Sequence, residues 1–413
     1  MTRPNRLQSL HELMAEMEAG HMSSLEATED MLQRMEAWQP HINAFVRMDG
    51  DAAIHAAKAA DAARAKGDKR PLLGAPLAHK DMFMRMGERS SGGSALLGDL
   101  VGEDTATVIA RLNFAGAIET GRLNMSEFAA GPTGHNAHFG HARNPWDPDY
   151  ITGGSSSGSG ASVAAGVVYG ALGSDTGGSI RLPAIMCGLF GLKPTYGAVS
   201  RYGAMPRAWS LDTVGPLTRS ASDAAMIYAA IAGYDPKDPT TSRREIPDWQ
   251  GLLDKPLKGL CIAYAKGEPF GLVDPETHEA HMAALKVFES LGCRVLEVTL
   301  PDCGPLHSAA DAISKSEAAT LHGRWMRERP DDYATHVYSR TEAGFAIPAT
   351  VYLEAQAARG QVLRDFCDQI FAKADALLLP SITMPVPSIA ETDEGQPGAI
   401  QTMVAGITRA TRP

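Results

Sequence analysis

Two Gly/Ser-rich runs frame an apolar block in this chain. The first is Gly153-Gly154-Ser155-Ser156-Ser157-Gly158-Ser159-Gly160, the block is Ala161 to Val168, and the second is Gly173-Ser174-Asp175-Thr176-Gly177-Gly178-Ser179-Ile180-Arg181-Leu182-Pro183. Flexible linkers lack such a block, so Ile151 to Arg181 reads as a loop, a helix of small residues and a second Gly-rich loop. The first run admits three readings. As a phosphate-cradling loop it would present backbone N–H groups at a helix start; no GK[ST] follows, and GxGxxG does not occur in a strand-to-helix context. As the nucleophile elbow of an esterase it matches GxSxG with Ser156 at the centre, but no local signal selects the downstream acid and histidine that an elbow needs. As a plain Gly/Ser loop it carries no chemistry.

The second run separates these readings. Adjacent glycines before a serine let the backbone approach a substrate closely and expose successive N–H groups. That is the construction of an oxyanion hole beside a nucleophile. A serine nucleophile needs a base, and no histidine is fixed near this one in sequence. Lys80 ends the short apolar run Ala75 to Lys80, which reads as a buried strand. Burial there lowers a lysine pKa toward a useful range.

Outward from this core, Leu7 to Glu18 shows helical spacing, Ser24 opens a helix over Leu25 to Trp38, and Ile42 to Val46 reads as a strand. Asp51 to Lys66 and Thr105 to Phe114 read as helices, Ala117 to Glu119 as a strand start, Leu192 to Ser200 as a strand and Ser222 to Tyr234 as a helix. Lys237 to Leu253 reads as an excursion rich in Pro, Asp and Thr. Lys258 to Ala265, Asp274 to Leu291 and Cys293 to Leu300 form a strand–helix–strand unit. Asp302 to Arg327 is helical, Pro348 to Ala374 is helical with one interruption, and Ala376 to Pro380 is a last strand.

Composition bounds the function. The 413 residues are 44% apolar, enough for a sizeable core, and the formal net charge is −10. A nucleic-acid surface needs clustered cations, so direct nucleic-acid binding is not expected. No apolar run is long enough to span a membrane, and Met1 to Gly20 is amphipathic with no secretory core. Five cysteines, none in a CxxC pair, read as reduced thiols in a cytoplasmic protein. Composition leaves a homodimer open.

Gly153 to Ser159, Gly173 to Arg181 and Gly191-Leu192-Lys193-Pro194-Thr195-Tyr196-Gly197 together resemble the amidase signature family. Gly74-Ala75-Pro76 leading into Lys80-Asp81 is similar to its catalytic-lysine strand. Asn124 to Phe128, Asn144 to Asp147 and Ser210 to Leu217 are similar to its other landmarks. The resemblance covers most of residues 5 to 240 and more loosely 255 to 385. It implies an α/β fold: one large α/β/α domain over residues 1–413 with a mixed central sheet flanked by helices. Its signature core spans about 74–220 and its variable substrate-side region about 236–390, with the pocket drawing on roughly Phe345 to Ala390.

The resemblance further implies a Ser–cis-Ser–Lys triad. Ser179 matches the nucleophile, Ser155 the bridging serine after a cis Gly154–Ser155 bond, and Lys80 the base. Thr176, Gly177, Gly178 and Ser179 match the backbone donors of the oxyanion hole, and Ala129 and Gly131 line the pocket. The implied activity is hydrolysis of a small-molecule amide without cofactor or metal. Alternatives are a glutaminase-like subunit of a tRNA-dependent amidotransferase, a catalytically silent binding protein, and the esterase above. Family members continue past a segment matching Gly406-Ile407-Thr408, so the stop at Pro413 leads us to expect either a truncated sheet edge and pocket wall or a shorter natural chain.

Other residues carry paired readings. Asp81 and Asp175 orient the relay or cap turns. Arg181 holds a substrate carboxylate or a nearby acid, and Ser156 contacts substrate or supports the site. His79 faces away from Lys80, and Cys187 is a buried small hydrophobe. His135, His138 and His141 recur every third residue, a pattern that raises a metal site without carboxylate spacing to support it.

Overall fold

The computed structural model describes residues 7–253, 255–267, 271, 273–392 and 397–412. The first six residues of the amphipathic N-terminal stretch, where the resemblance also starts, lie outside them, as does Pro413. The central sheet has six strands: β1 (Phe45–Met48), β2 (Pro76–Lys80), β3 (Ile118–Leu123), β4 (Gly170–Asp175), β5 (Phe190–Gly191) and β6 (Thr213–Thr218), in the order β1-β3-β2-β4-β6-β5. β2 runs parallel to β3 and β4, while β1, β5 and β6 pair antiparallel with their neighbours. The sheet is mixed and its faces are covered by helices.

The central strands are buried on both faces, which is why they read as unbroken apolar or small-residue runs. One face packs Leu77 and Leu172 against α1 (Leu10–Glu18), α4 (Thr107–Phe114) and α7 (Ala221–Ile231). The opposite face packs Ala78 and Ala171 against α2 (Ser24–Ile42) and α5 (Ser157–Ala164). The helix of small residues is therefore a central layer, and its composition has a steric cause. A Cβ on Gly158 would lie 2.3 Å from the Ala44 carbonyl oxygen and 2.6 Å from the Asn124 nitrogen.

Several expectations shift on meeting the structure. The N-cap of α2 is Ser23, in a capping box with Glu26, and the helix runs on through Pro40 to Ile42, moving the first strand to Phe45. Leu192 to Ser200 is not a strand. The strand there is only Phe190–Gly191, because Pro194 offers no N–H and the chain turns with Ala198 N bonded to the Thr195 oxygen at 2.9 Å. β4 and β6 escape sequence reading for the converse reason. Gly170, Gly173, Gly215 and Pro216 are poor strand residues, yet β4 and β6 pair over six registered positions. α3 is Gly50–Ala65.

Beyond a short helix, α8 (Gln250–Leu253), a second sheet of three parallel strands stands apart from the first. It contains β7 (Cys261–Ala265), β8 (Arg294–Val298) and β9 (Ala376–Leu378), in the order β8-β7-β9. Asp274 caps the intervening α9 (Pro275–Ser290) by accepting from Glu276 N and Thr277 N. α10 (Gly304–Glu328), α11 (Thr335–Glu342) and α12 (Ala349–Ile370) follow, the last without interruption, and α13 spans Pro397–Thr408. Among the described residues no helix is long and apolar enough to cross a membrane.

The N-terminal helix is tied to the sheet layer by one buried carboxylate. Asp223, on α7, accepts from Leu10 N at 3.1 Å and His11 N at 2.8 Å, satisfying two open donors of α1. Asp223→Ala is expected to lower unfolding stability by about 1–3 kcal/mol in urea titration; an unchanged midpoint would show that the tether contributes nothing.

Candidate active site

Lys80 ends β2 at the same edge where β4 ends in Asp175, the carboxyl end of the parallel strands where open α/β sheets place their ligands. Its side chain is wholly buried. Lys80 Nζ donates to Ser155 Oγ at 2.7 Å and to Ser174 Oγ at 2.9 Å. Burial pulls its pKa from 10.5 down to about 7, against the opposing charges of Asp175 and Asp212. The Gly154–Ser155 peptide bond is cis. Ser174 is absent from the sequence-derived set. No local signal marks it: only the parallel pairing of β4 with β2 sets the last residues of Gly170–Asp175 beside Lys80.

Asp175 organises the second loop. Its carboxylate accepts from Gly178 N at 2.7 Å, Ile180 N at 3.1 Å and Arg181 N at 3.3 Å, and it pairs with the Arg181 side chain at 2.9 and 3.0 Å. Burial pushes this carboxyl up, but Arg181 and the backbone donors outweigh it and hold the pKa below its ordinary value. Asp212 braces the same loop by accepting from Thr176 Oγ1 at 2.5 Å and from Arg207 N and Ala208 N. Burial raises its pKa. Gly178 sits at φ +136°, where a side chain is strained, and a Cβ there would lie 2.7 Å from Thr411 Oγ1.

The pinned loop distributes its donors unevenly. The Gly178 N–H is given to Asp175, whereas the N–H groups of Gly177 and Ser179 have no hydrogen-bond partner among the described residues. Ser179 and Gly177 line a cavity of about 140 Å³ together with Thr176, Ala129 and Gly131. Ala129 and its neighbour Phe128 hold left-handed φ values of 55° and 49°, uncommon for residues with side chains. Phe128 is locked there by ring contacts with His322, Trp325 and Tyr333. Ser155 Oγ takes its hydrogen bond from Lys80; none joins it to Ser179 among the described residues.

The remaining candidates have structural engagements. Ser156 is fully buried and bonds the backbone of Ser174 through both N–H and C=O at 3.4 Å, which rules out an exposed elbow nucleophile. Asp81 accepts from Ser91 N and Oγ and lies 3.7 Å from Arg122, so it anchors the loop after β2. Arg181 is committed to Asp175. His79 accepts the Leu172 N–H through Nδ1 at 3.2 Å, and burial drives its pKa to about 3. Burial likewise raises the Cys187 thiol to about 12.

His138 contacts Glu127 and His135 contacts His141 and Thr392, but no cluster of metal-ligating side chains occurs among the described residues. The pocket also departs from expectation. Among the described residues its distal wall comes from α10, α11, α13 and the stretch after α13, through residues such as Asp311, Lys315, Arg340, Val404 and Arg412, and not from 345–390.

Known proteins resemble this chain over most of its length. A family model described as Amidase matches residues 26–411, and the chain belongs to the amidase signature family, as a hydrolase acting on amide C–N bonds. It is 41% identical over 403 residues to a glutamyl-tRNA(Gln) amidotransferase subunit of Chromohalobacter salexigens, covering 91% of this chain and 82% of that one. It superposes with TM-score 0.88 and 35% identity on a protein of a vestigial complex that reveals the origins of an s-triazine catabolic enzyme, covering 97% and 89% of the two chains. A bacterial aryl acylamidase of the amidase signature family superposes with TM-score 0.85 at 26% identity, covering 99% and 89%.

Asp175→Ala strips the loop of its anchor and leaves Arg181 unpaired. The variant is expected to lose about 3 kcal/mol of unfolding stability, measured by urea denaturation. A loss below about 1 kcal/mol would remove Asp175 from its place as anchor.

Proposed function

We propose that the chain hydrolyses a carboxylic amide, or a related carbamate or urea, through an acyl-enzyme on Ser179. The observation that carries this reading is the fully buried Lys80 bonded to Ser155 at 2.7 Å, with a pKa near 7. Neutral Lys80 accepts a proton from Ser155 as Ser155 accepts one from Ser179. Ser179 Oγ bonds to the amide carbon, and the oxyanion rests on the free N–H groups of Gly177 and Ser179. On collapse the C–N bond breaks and the relay returns the proton to the leaving nitrogen. Water then attacks the acyl carbon, its proton enters the same relay, and Ser179 is regenerated with release of the acid.

Substrate binding brings Ser179 into line with Ser155, since catalytic hydrogen bonds are often open before substrate arrives. We read residues 1–413 as one domain, with the substrate side in the variable region about 236–390; Asp311, Lys315 and Arg340 on the cavity wall support this. The five unpaired cysteines support a cytoplasmic setting. A second reading is favoured by the name of the 41% identical relative: work within a multi-subunit amidotransferase. Glutamine-dependent ammonia release appearing only with co-purified partners would establish it.

A fluorophosphonate probe is expected to label Ser179, with labelling lost in Ser179→Ala, and Lys80→Ala is expected to remove most amide hydrolysis in a folded protein. Labelling of Ser156 that survives Ser179→Ala, or full activity without Lys80, overturns the relay. Hydrolysis across amides, carbamates and ureas is followed by ammonia or amine release.

The pH dependence has a definite sign. The base acts only when neutral, and its folded pKa is lowered to about 7. The kcat/KM profile is therefore expected to rise with pH through about 7 and level off above it. A profile that is highest at pH 5 excludes a neutral-lysine base.

A further inference from the structure

The cavity at Ser179 carries a charge pattern that the relay does not use. Among the described residues, Arg207, Arg340, Arg412 and Lys315 line it, against a single carboxylate, Asp311. Asp311 is already shared, pairing with Lys315 Nζ at 2.7 Å and with Arg412. Arg340 donates to the Ala130 carbonyl oxygen at 3.0 Å. Arg207 is different. It is 9% exposed, makes no ion pair among the described residues, and its Nη1 is buried with no hydrogen-bond partner.

A buried guanidinium keeps its charge and five donors in a planar fork, so its natural complement is a carboxylate. The protein withholds one. The acid whose field acts most on it, Asp212, has Oδ2 occupied by the backbone N–H groups of Arg207 and Ala208 and Oδ1 by Thr176. Burial lowers the Arg207 pKa to about 10, aided by the like charges of Arg340 and Arg412, which leaves it protonated at neutral pH.

We infer that the substrate is a small amide bearing a carboxylate, held by Arg207 with Arg340 beside it while Ser179 attacks the amide carbon. This rests on the reading of Ser179 as the nucleophile. It adds the chemical class of what is cleaved. The cavity of about 140 Å³ suits a short acid and is well below the roughly 300 Å³ at which drug-sized sites begin. Arg207 and Arg340 are positively charged partners for the ligand and take no proton during the reaction.

The test uses the full chain and matched pairs: the monoamides of malonic, succinic and glutaric acids against the corresponding diamides, and N-acetylglycine against N-acetylglycinamide. The first three place the charge on the acyl side, the last on the amine side. At least one carboxylate is expected to exceed its uncharged partner in kcat/KM by about ten- to a hundredfold. Arg207→Gln is expected to bring that ratio to within about threefold, and Arg207→Lys to restore part of it. Ratios within about threefold for every pair in the unmodified chain overturn the inference, whether or not the variants fold. A ratio kept by folded Arg207→Gln overturns the assignment to Arg207.

Calorimetric binding of the same pairs to Ser179→Ala separates the two readings. Preferred binding of a carboxylate without turnover by the unmodified chain retains the anion site and overturns hydrolysis. Turnover without preference retains hydrolysis and overturns the anion site.

Discussion

An ammonium group held wholly out of water is the constraint around which this site is built. Lowering the Lys80 pKa from 10.5 to about 7 corresponds to roughly 5 kcal/mol set against the charged form. That shift survives only if no carboxylate pairs directly with Nζ. Two hydroxyls, from Ser155 and Ser174, occupy it instead. The anion whose field acts most on it, Asp175, is turned to other partners. Arg181 pairs with it and three backbone N–H groups crowd its oxygens, so much of its field is spent before it reaches the lysine. Asp175 thus opposes the neutrality of Lys80 without reversing it, and its pair with Arg181 shapes the loop that carries Ser179.

The same constraint explains the composition of the segment between the two loops. Burying a lysine at a strand end requires protein on every side of it, and here that protein is α5, wedged against β2, β3 and β4. Such a wedge has no room for large side chains, and it still has to satisfy polar groups. Serine meets both demands. Ser159 Oγ donates to the Leu172 oxygen, and Ser156 bonds both backbone groups of Ser174. The run that looks like a linker is a buried polar layer in which each serine has a structural or relay partner, Ser157 Oγ excepted, which is buried without one.

Half of the site was legible in the sequence and half was not, for reasons that lie in range. Lys80, Ser155 and Ser179 each stand in a local block whose composition is unusual for its surroundings, and resemblance to a family joined them. Ser174 was hidden because its strand is made of residues that disfavour strands, and because its pairing with β2 is a tertiary fact. The sites of Arg207, Arg340 and Arg412 were hidden more deeply. They come from a loop before β6, from α11 and from the stretch after α13, and nothing local distinguishes them from surface arginines. The expected wall at 345–390 failed for the same reason: α12 packs through Ala355 against Ala312 and Ile313 of α10, and α10, not α12, faces the cavity.

The charge of the cavity cannot be read from the charge of the chain. The formal net charge is −10, so a lining of four basic groups against one acid among the described residues runs opposite to the chain's average. Surface basic groups are cheap and interchangeable. A guanidinium as buried as Arg207, with an unpartnered nitrogen, carries a desolvation cost that folding alone gives no reason to bear. Low-dielectric walls concentrate the field of such a group inside the cavity, where an anion feels it most and exposed acids screen it least. The neutrality of Lys80 has a separate cause: burial alone lowers its pKa, against the fields of Asp175 and Asp212.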